Sequence, residues 1–342
     1  MKIVIDAFGG DNAPKEIVKG AVEFLKTNKN NELEICLCGD ESKIQNELKE
    51  LNYDGKQIKI VHAPDIITND DVPTKAIKEK TNSSLAQSFE ILKHDEDCIG
   101  LISAGSTGAI LAGGFLRIGR IKGVSRPALA PFMPTKVGGQ VLLIDCGANM
   151  DANAINLCHY AAMGSAYYTC MTKKENPRVA LLNVGTENHK GDELSKEVFP
   201  MLKKMNINFI GNMEARDIMS GKYDVVVADG FSGNVLLKST EGALKLMIEE
   251  MKNMFTQNTL TKLGALTMKK SIKRMKKTYD FDAYGGSPFL GCKKIIIKSH
   301  GSSKASAIVA SIQQVLVLYK NQINDIIESS VENVTLENLQ NA

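Results

Sequence analysis

Cys98-Ile99-Gly100-Leu101-Ile102-Ser103-Ala104-Gly105-Ser106-Thr107-Gly108-Ala109-Ile110-Leu111 starts as an apolar strand, turns through small residues and runs on to about Leu116 as an apolar helical pattern. A strand feeding a helix through such a turn offers unpaired backbone N–H groups and the positive end of the helix dipole, here with three hydroxyls alongside. Ser103, Gly105, Ser106 and Thr107 are therefore candidates for a cradle that holds phosphate or an oxyanion. The same residues also suit an ordinary turn in which glycine only punctuates the chain.

Outward from this stretch the same grammar recurs. Strands are expected at Ile3–Asp6, Leu33–Cys38, Ile58–Val61, Gln140–Asp145, Arg178–Asn183, Ile207–Ile210, Tyr223–Ala228 and Lys294–Lys298, most of them followed by a loop and an amphipathic helix. Arg126–Pro134 carries three prolines and reads as an irregular or edge segment. Alternation of strand and helix predicts an α/β protein with a largely parallel sheet and helices on both faces. No repeat, low-complexity tract or linker marks a boundary, so residues 1–342 read as one large α/β domain or as two interwoven subdomains.

The chain has 342 residues, 43% hydrophobic and 24% charged, which suits a globular protein with a substantial core. No apolar run reaches the roughly 20 residues of a membrane-spanning helix, and Met1-Lys2-Ile3-Val4-Ile5-Asp6 opens directly as a strand, so a cytoplasmic location is expected. Seven cysteines lack any C-x-x-C pair and read as buried thiols. The five histidines have no metal-ligand spacing; neither a metal nor a cofactor is expected. Between Met251 and Tyr279 lie eight basic residues and no acidic one; taking those eight from the formal +3 leaves the rest of the chain at −5. A cationic segment thus sits on a mildly acidic body.

Polar, glycine-rich clusters follow Asp6, Ser103, Asp145, Asn183 and Ala228, at the carboxyl ends of predicted strands, the edge where open α/β sheets bind ligands. Asp11, Asn149 and Ser232 also have the chemistry of helix caps. Familiar motifs fail: Gly9-Gly10-Asp11 lacks dinucleotide spacing, Gly286–Gly291 has P-loop glycines but Cys292 in place of lysine, and Gly-Phe-Ser-Gly is one residue short of a nucleophile elbow. What remains is an anion site without an evident metal or covalent nucleophile. Phosphate is itself a nucleophile, so acyl transfer to phosphate needs only fixed donors.

In order along the chain, Asp6-Ala7-Phe8-Gly9-Gly10-Asp11, Ser103-Ala104-Gly105-Ser106-Thr107-Gly108-Ala109, Asp145-Cys146-Gly147-Ala148-Asn149, Asp229-Gly230-Phe231-Ser232-Gly233-Asn234, Tyr284-Gly285-Gly286-Ser287-Pro288 and His300-Gly301-Ser302-Ser303 resemble the motifs of the bacterial phosphate acyltransferases of phospholipid synthesis. The resemblance spans about Met1 to Ile312. It implies transfer of a long-chain acyl group from acyl carrier protein to inorganic phosphate, with the acyl phosphate feeding a glycerol-3-phosphate acyltransferase. It also implies a three-layer α/β/α fold like the isopropylmalate dehydrogenases and phosphotransacetylases, a homodimer and loose membrane association. On this footing Ser103, Gly105, Ser106 and Thr107 cradle phosphate. Asp229 and Asn234 orient the donor or stabilise the oxyanion, Lys190 and His300 neutralise charge, and Asp6, Gly9, Asp11, Asn149 and Glu187 shape the cleft.

The basic segment then gains a reading. Leu260, Leu263 and Leu266 beside Gly264-Ala265 form the expected tip of a helical hairpin over 251–279, flanked by Lys269, Lys270, Lys273 and Arg274. An apolar tip with cationic flanks suits an anionic membrane or acidic carrier protein; without interleaved aromatics it does not suit nucleic acid. Two other readings stand beside the main one: a phosphotransacylase using acyl-coenzyme A, and a non-catalytic anion- or lipid-binding module at the membrane surface.

Overall fold

Strict alternation along the strands sorts the core into two layers. Ile3 and Ile5 fall on one side with Leu142, Ile144, Val225 and Val227, while Val4 falls on the other with Val141, Leu143 and Val226. Successive strand side chains point to opposite faces, so continuous apolar strands must be covered by helices on both. The computed structural model describes residues 1–28, 32–279 and 284–341.

The strands are β1 (Lys2–Asp6), β2 (Glu34–Gly39), β3 (Ile58–His62), β4 (Cys98–Ser103), β5 (Ala128–Leu129), β6 (Phe132–Pro134), β7 (Gln140–Ile144), β8 (Val179–Asn183), β9 (Phe209–Glu214), β10 (Val225–Val227), β11 (Ser287–Leu290) and β12 (Ile295–Lys298). They form two sheets rather than the one expected. The order is β3-β2-β1-β4-β12-β11-β5 in the first and β6-β7-β10-β8-β9 in the second. All pairs are parallel except those made by β11 and β6. The break falls in the proline-rich segment: β5 closes one sheet and β6 opens the other, with Pro131 between them. Proline has no N–H for a ladder, which confines such a segment to edges. Two local expectations also shift. The strand expected to end at Ile210 runs on to Glu214 beside β8, past a register shift, and the P-loop-like glycines flank the antiparallel strand β11.

Helices α1 (Lys15–Thr27), α2 (Glu41–Glu50), α3 (Pro73–Glu79), α4 (Ser84–His94), α5 (Thr107–Gly113), α6 (Ala154–Thr172), α7 (Glu193–Lys204), α8 (Gly230–Thr256), α9 (Thr259–Thr267), α10 (Lys269–Thr278), α11 (Ala305–Lys320), α12 (Ile323–Val331) and α13 (Leu336–Asn341) cover the faces. Residues of α1, α6, α7, α11 and α12 join one apolar layer, and those of α3, α4, α5 and the start of α8 join the other, giving the α/β/α arrangement. Each apolar layer draws on both sheets, so they share one core. None of the described helices is long and apolar enough to cross a membrane. All seven cysteines are buried and free.

Candidate active site

β1 and β4 lie side by side, and their carboxyl ends build one wall of the site. The buried Ser103 hydroxyl donates to Asp6 Oδ2 at 2.6 Å and accepts the Gly105 N–H at 3.0 Å. Burial pushes the Asp6 carboxyl upward, against the hydrogen bond from Ser103. A side chain at Gly9 is excluded, since a Cβ there would stand 2.6 Å from both Asp6 Oδ2 and the Gly105 nitrogen. Asp6, Gly9, Ser103 and Gly105 thus brace the turn, and the Ser103 hydroxyl is committed inside it. Ser106 stands at the N-cap of α5 without bonding its side chain to the helix, and Ser106 and Thr107 are partly exposed. Asp11 is exposed, its N–H bonded to the Gly301 carbonyl at 2.8 Å, rather than capping α1, whose N-cap is Pro14.

The second sheet supplies the opposite wall. Asp145, fully buried after β7, accepts N–H groups from Leu129 (2.9 Å), Ala148 (3.2 Å) and Asn149 (2.7 Å) together with the Asn149 side-chain amide (2.9 Å). That amide also donates to the Pro127 carbonyl at 2.7 Å. Asn149 is therefore a brace between the sheets and not a cap. Asp229 caps α8, accepting the N–H groups of Phe231 and Ser232 at 2.9 Å each, so its carboxylate oxygen serves its own helix and Ser232 sits inside the first turn. Gly230 and Gly233 let that turn lie directly on the 145–149 loop; a Cβ at 233 would fall 1.9 Å from the Asp145 carbonyl. The next residue, Asn234, lies beside Gly147.

Between the walls is a cavity of about 1,030 Å³. Thr107, His300 and Ser302 line it from the first sheet's edge and Gly147 and Asn234 from the second's, while Leu237, Lys238, Glu241, Leu244, Lys245 and Ile248 descend one face of α8. Leu129, Phe132, Tyr279 and Tyr284 add apolar wall. The volume is at or above the top of the ~300–1,000 Å³ range of small-ligand pockets, far more than a phosphate requires. His300 Nδ1 accepts the Ser302 N–H at 3.3 Å and lies 2.8 Å from its hydroxyl, which puts the proton of a neutral ring on Nε2. Lys190 and Glu187 are brought together on the exposed loop after β8, but neither lines the cavity.

Sequence reasoning missed Lys298. It ends β12 in register with Ser103 and lines the cavity, half-buried. Burial and the positive charge of Lys238 push its ammonium down to about 8, with Asp11 and Asp6 pulling the other way. In the sequence it closes the run Ile295-Ile296-Ile297, and only its place three residues before Gly301 in the His300 motif hinted at a site.

The basic segment differs from a simple hairpin. The chain breaks near Asn258 and again at Met268, and Gly264-Ala265 lies inside α9, not at a tip. Asn258 and Thr261 form a reciprocal capping box that starts α9 anew. Leu260, Leu263 and Leu266 are nonetheless 80%, 55% and 64% exposed, and Lys269, Lys270, Lys273 and Arg274 are exposed beside them.

Two α/β sheets with a long cleft at their carboxyl edges place the chain in the phosphotransacetylase class of folds. A phosphotransacetylase from Streptococcus pyogenes superposes with a TM-score of 0.57 at 16% identity, covering 97% of this chain and 94% of that one. A branched-chain phosphotransacylase from Enterococcus faecalis V583 gives 0.58 at 14%, over 93% and 99%. Likeness so distant speaks for the fold alone. Sequence carries further: residues 1–326 match the family described as fatty acid synthesis protein, and a phosphate acyltransferase from Clostridium novyi (strain NT) is 45% identical over 332 residues, 97% of this chain and 99% of that protein. The chain belongs to the phosphate acyltransferase family.

Proposed function

We propose that this protein moves a long-chain fatty acyl group from the thioester of acyl carrier protein to inorganic phosphate, releasing acyl phosphate and the carrier's thiol. The observation that carries this is one continuous cavity with a polar end at Thr107, His300 and Ser302 and, running on along α8, apolar lining from Leu237, Leu244 and Ile248 between the charged Lys238, Glu241 and Lys245. Ile248 lies 14 residues beyond Asn234 on the helix, which at 1.5 Å per residue gives about 21 Å of trough, suited to a long alkyl chain.

Ser106 and Thr107 hold the phosphate with the uncapped amino end of α5, where backbone dipoles favour an anion. Asn234 and His300 donate to the carbonyl oxygen as it gains charge, a task for fixed donors in a site that restricts water. Asp6, Gly9, Asp11, Ser103, Gly105, Asn149 and Asp229 act one step back by fixing those donors. Lys190 and Glu187, on the exposed loop, meet the carrier protein or the departing arm.

The cationic α10 and the leucines of α9 receive acidic carrier protein and rest on an anionic membrane, which keeps a cytoplasmic, homodimeric enzyme near a glycerol-3-phosphate acyltransferase that takes its product. Charge supports this: attraction to anionic lipid contributes about 1 kcal/mol per basic residue near the surface. The decisive test incubates the protein with palmitoyl-loaded carrier protein, with and without phosphate, and traps acyl phosphate with hydroxylamine. Phosphate-dependent trapping is expected. Equal turnover of palmitoyl-coenzyme A would favour the coenzyme A reading, and no phosphate-dependent product with either donor would leave only a binding module.

A further inference from the structure

Transfer of an acyl group to phosphate leaves one proton to be moved, and none of the groups assigned above moves it. Hydrogen phosphate brings the proton in, whereas the thiolate that leaves must gain one. We propose that Lys298 is a catalytic residue of this transfer, its ammonium binding the attacking phosphate and giving its proton to the departing sulfur. The proposal rests on the reading of the previous subsection.

Position is the first support. Parallel pairing sets Lys298 directly beside Ser103, where β4 enters the turn, and the residue lines the same cavity as Thr107, Asn234 and His300. Partners are the second. An ammonium has three N–H donors; Lys298 gives one to the neighbouring Ser299 carbonyl, and among the described residues it joins no ion pair. The charges that act on it most are Lys238 from α8, Asp6 from the end of β1 and Asp11 from the loop beyond. His300 from its own loop, Glu241 and Lys245 from α8, Lys276 from α10 and the phenols of Tyr279 and Tyr284 share its cavity. Lys238 is paired at 2.9 Å with Glu241 on the same helix, whereas Lys298 has no carboxylate partner among the described residues. Lys245 of α8 and Lys276 of α10 line the same cavity, but Lys298 is the lysine set in register beside Ser103. A half-buried lysine without a carboxylate partner, lining a cavity beside a phosphate-type turn, is matched to an anionic ligand.

The step balances. A phosphate oxygen forms the bond to the carbonyl carbon, and the tetrahedral intermediate collapses with loss of the C–S bond and its electron pair to sulfur. Lys298 ammonium protonates that sulfur, and the neutral amine then takes the proton left on the newly formed acyl phosphate. Acyl phosphate and thiol leave, with lysine again charged.

The sign of the pH dependence follows. The working form is the ammonium, whose proton is held with a pKa of about 8. Wild-type kcat/KM for phosphate should therefore fall as pH rises through about 8. Lys298→Arg keeps the charge but does not release its proton in this range. It should hold KM for phosphate within a few-fold, lose kcat by roughly 10²- to 10⁴-fold, the usual reach of acid catalysis, and lack the alkaline limb. Lys298→Met should lose phosphate affinity by at least about tenfold as well, since it gives up a charge-assisted bond. An Arg variant with the wild-type limb, or a folded Met variant with near wild-type kcat/KM, overturns the assignment. If wild type forms no acyl phosphate, the functional reading fails instead. Titration of wild type and Lys298→Arg with inorganic phosphate alone then still decides whether Lys298 holds the anion: expected is comparable affinity in both and loss in Lys298→Met, and full affinity in Lys298→Met rejects it.

Discussion

A methyl group at position 233 has nowhere to go. Its carbon would lie 1.9 Å from the Asp145 carbonyl oxygen, and that oxygen belongs to a loop pinned by four hydrogen bonds to the Asp145 carboxylate. Gly233→Ala should therefore lift the start of α8, costing about 2–3 kcal/mol from overpacking and more activity than that implies, because Asn234 moves with it; denaturant midpoints and turnover at saturating phosphate measure the two. Asp145→Ala should cost about 3 kcal/mol, since it strands buried N–H groups. A third residue effect is acid-linked. Burial alone would raise the Asp224 carboxyl, but bonds from Arg178 and Lys174 bring it down to about 2. A depressed carboxylate stabilises the fold above its ordinary pKa and loses that contribution as pH falls. About 2 kcal/mol should thus disappear between roughly pH 4 and 2 in wild type and be absent from the pH dependence of Asp224→Asn. Unfolding free energies at pH 5 and 2.5 check this. At this scale the sequence brought out polar motifs, several of which the fold gathers at the cleft, but not what each residue does in them. In Asp229-Gly230-Phe231-Ser232-Gly233-Asn234 a cap, two contact glycines and a cavity residue stand within six positions. Cap and anion ligand draw on the same polar residue types, so only coordinates separate them.

At the scale of elements, the strands and helices were largely legible because buried parallel strands are near-continuous apolar runs. What escaped was short or local. β11 hid behind Gly285-Gly286 and Pro288, residue types that ordinarily break a strand, and the restart of α9 hid in the Asn258–Thr261 capping box within an otherwise helical stretch. The restart bears on the proposed membrane contact. It gives α9 its own axis, on which Leu260, Leu263 and Leu266 are all exposed, spaced three residues apart on neighbouring turns. Placing charge there should abolish adsorption to lipid without touching the cavity, because α9 does not line it. Leu263→Glu with Leu266→Glu should therefore fail to float with vesicles containing anionic phospholipid, while turnover of soluble palmitoyl-carrier protein stays within about twofold. Flotation equal to wild type would remove α9 as the membrane contact. Reversing Lys269, Lys270, Lys273 and Arg274 to Glu should instead raise KM for the carrier, more at low salt than at high, as screening requires.

Across the whole molecule, the division into two sheets was the feature hardest to read. Most of the turns converge as the sequence suggests, the one after β8 excepted, yet from two edges rather than one, because prolines at 127, 131 and 134 end one ladder and begin another. A cleft between sheets makes ligand binding a property of the assembled chain. Thr107, His300 and Lys298 come from the first sheet's edge, Gly147 and Asn234 from the second's, and the Asn149 amide crosses between them to the Pro127 carbonyl. Each apolar layer also draws on both sheets, so the halves should melt together. A ligand that binds only the folded state stabilises it by mass action, about 2.7 kcal/mol at 100 times its Kd. Inorganic phosphate at that level should raise the midpoint of one cooperative thermal transition by several degrees, roughly 2–4 °C per kcal/mol for a chain somewhat shorter than this. The same addition should do little for Lys298→Met. Two separate transitions, only one of them moved by phosphate, would mean that the anion is held by a single sheet and that the cleft closes around the acyl donor alone.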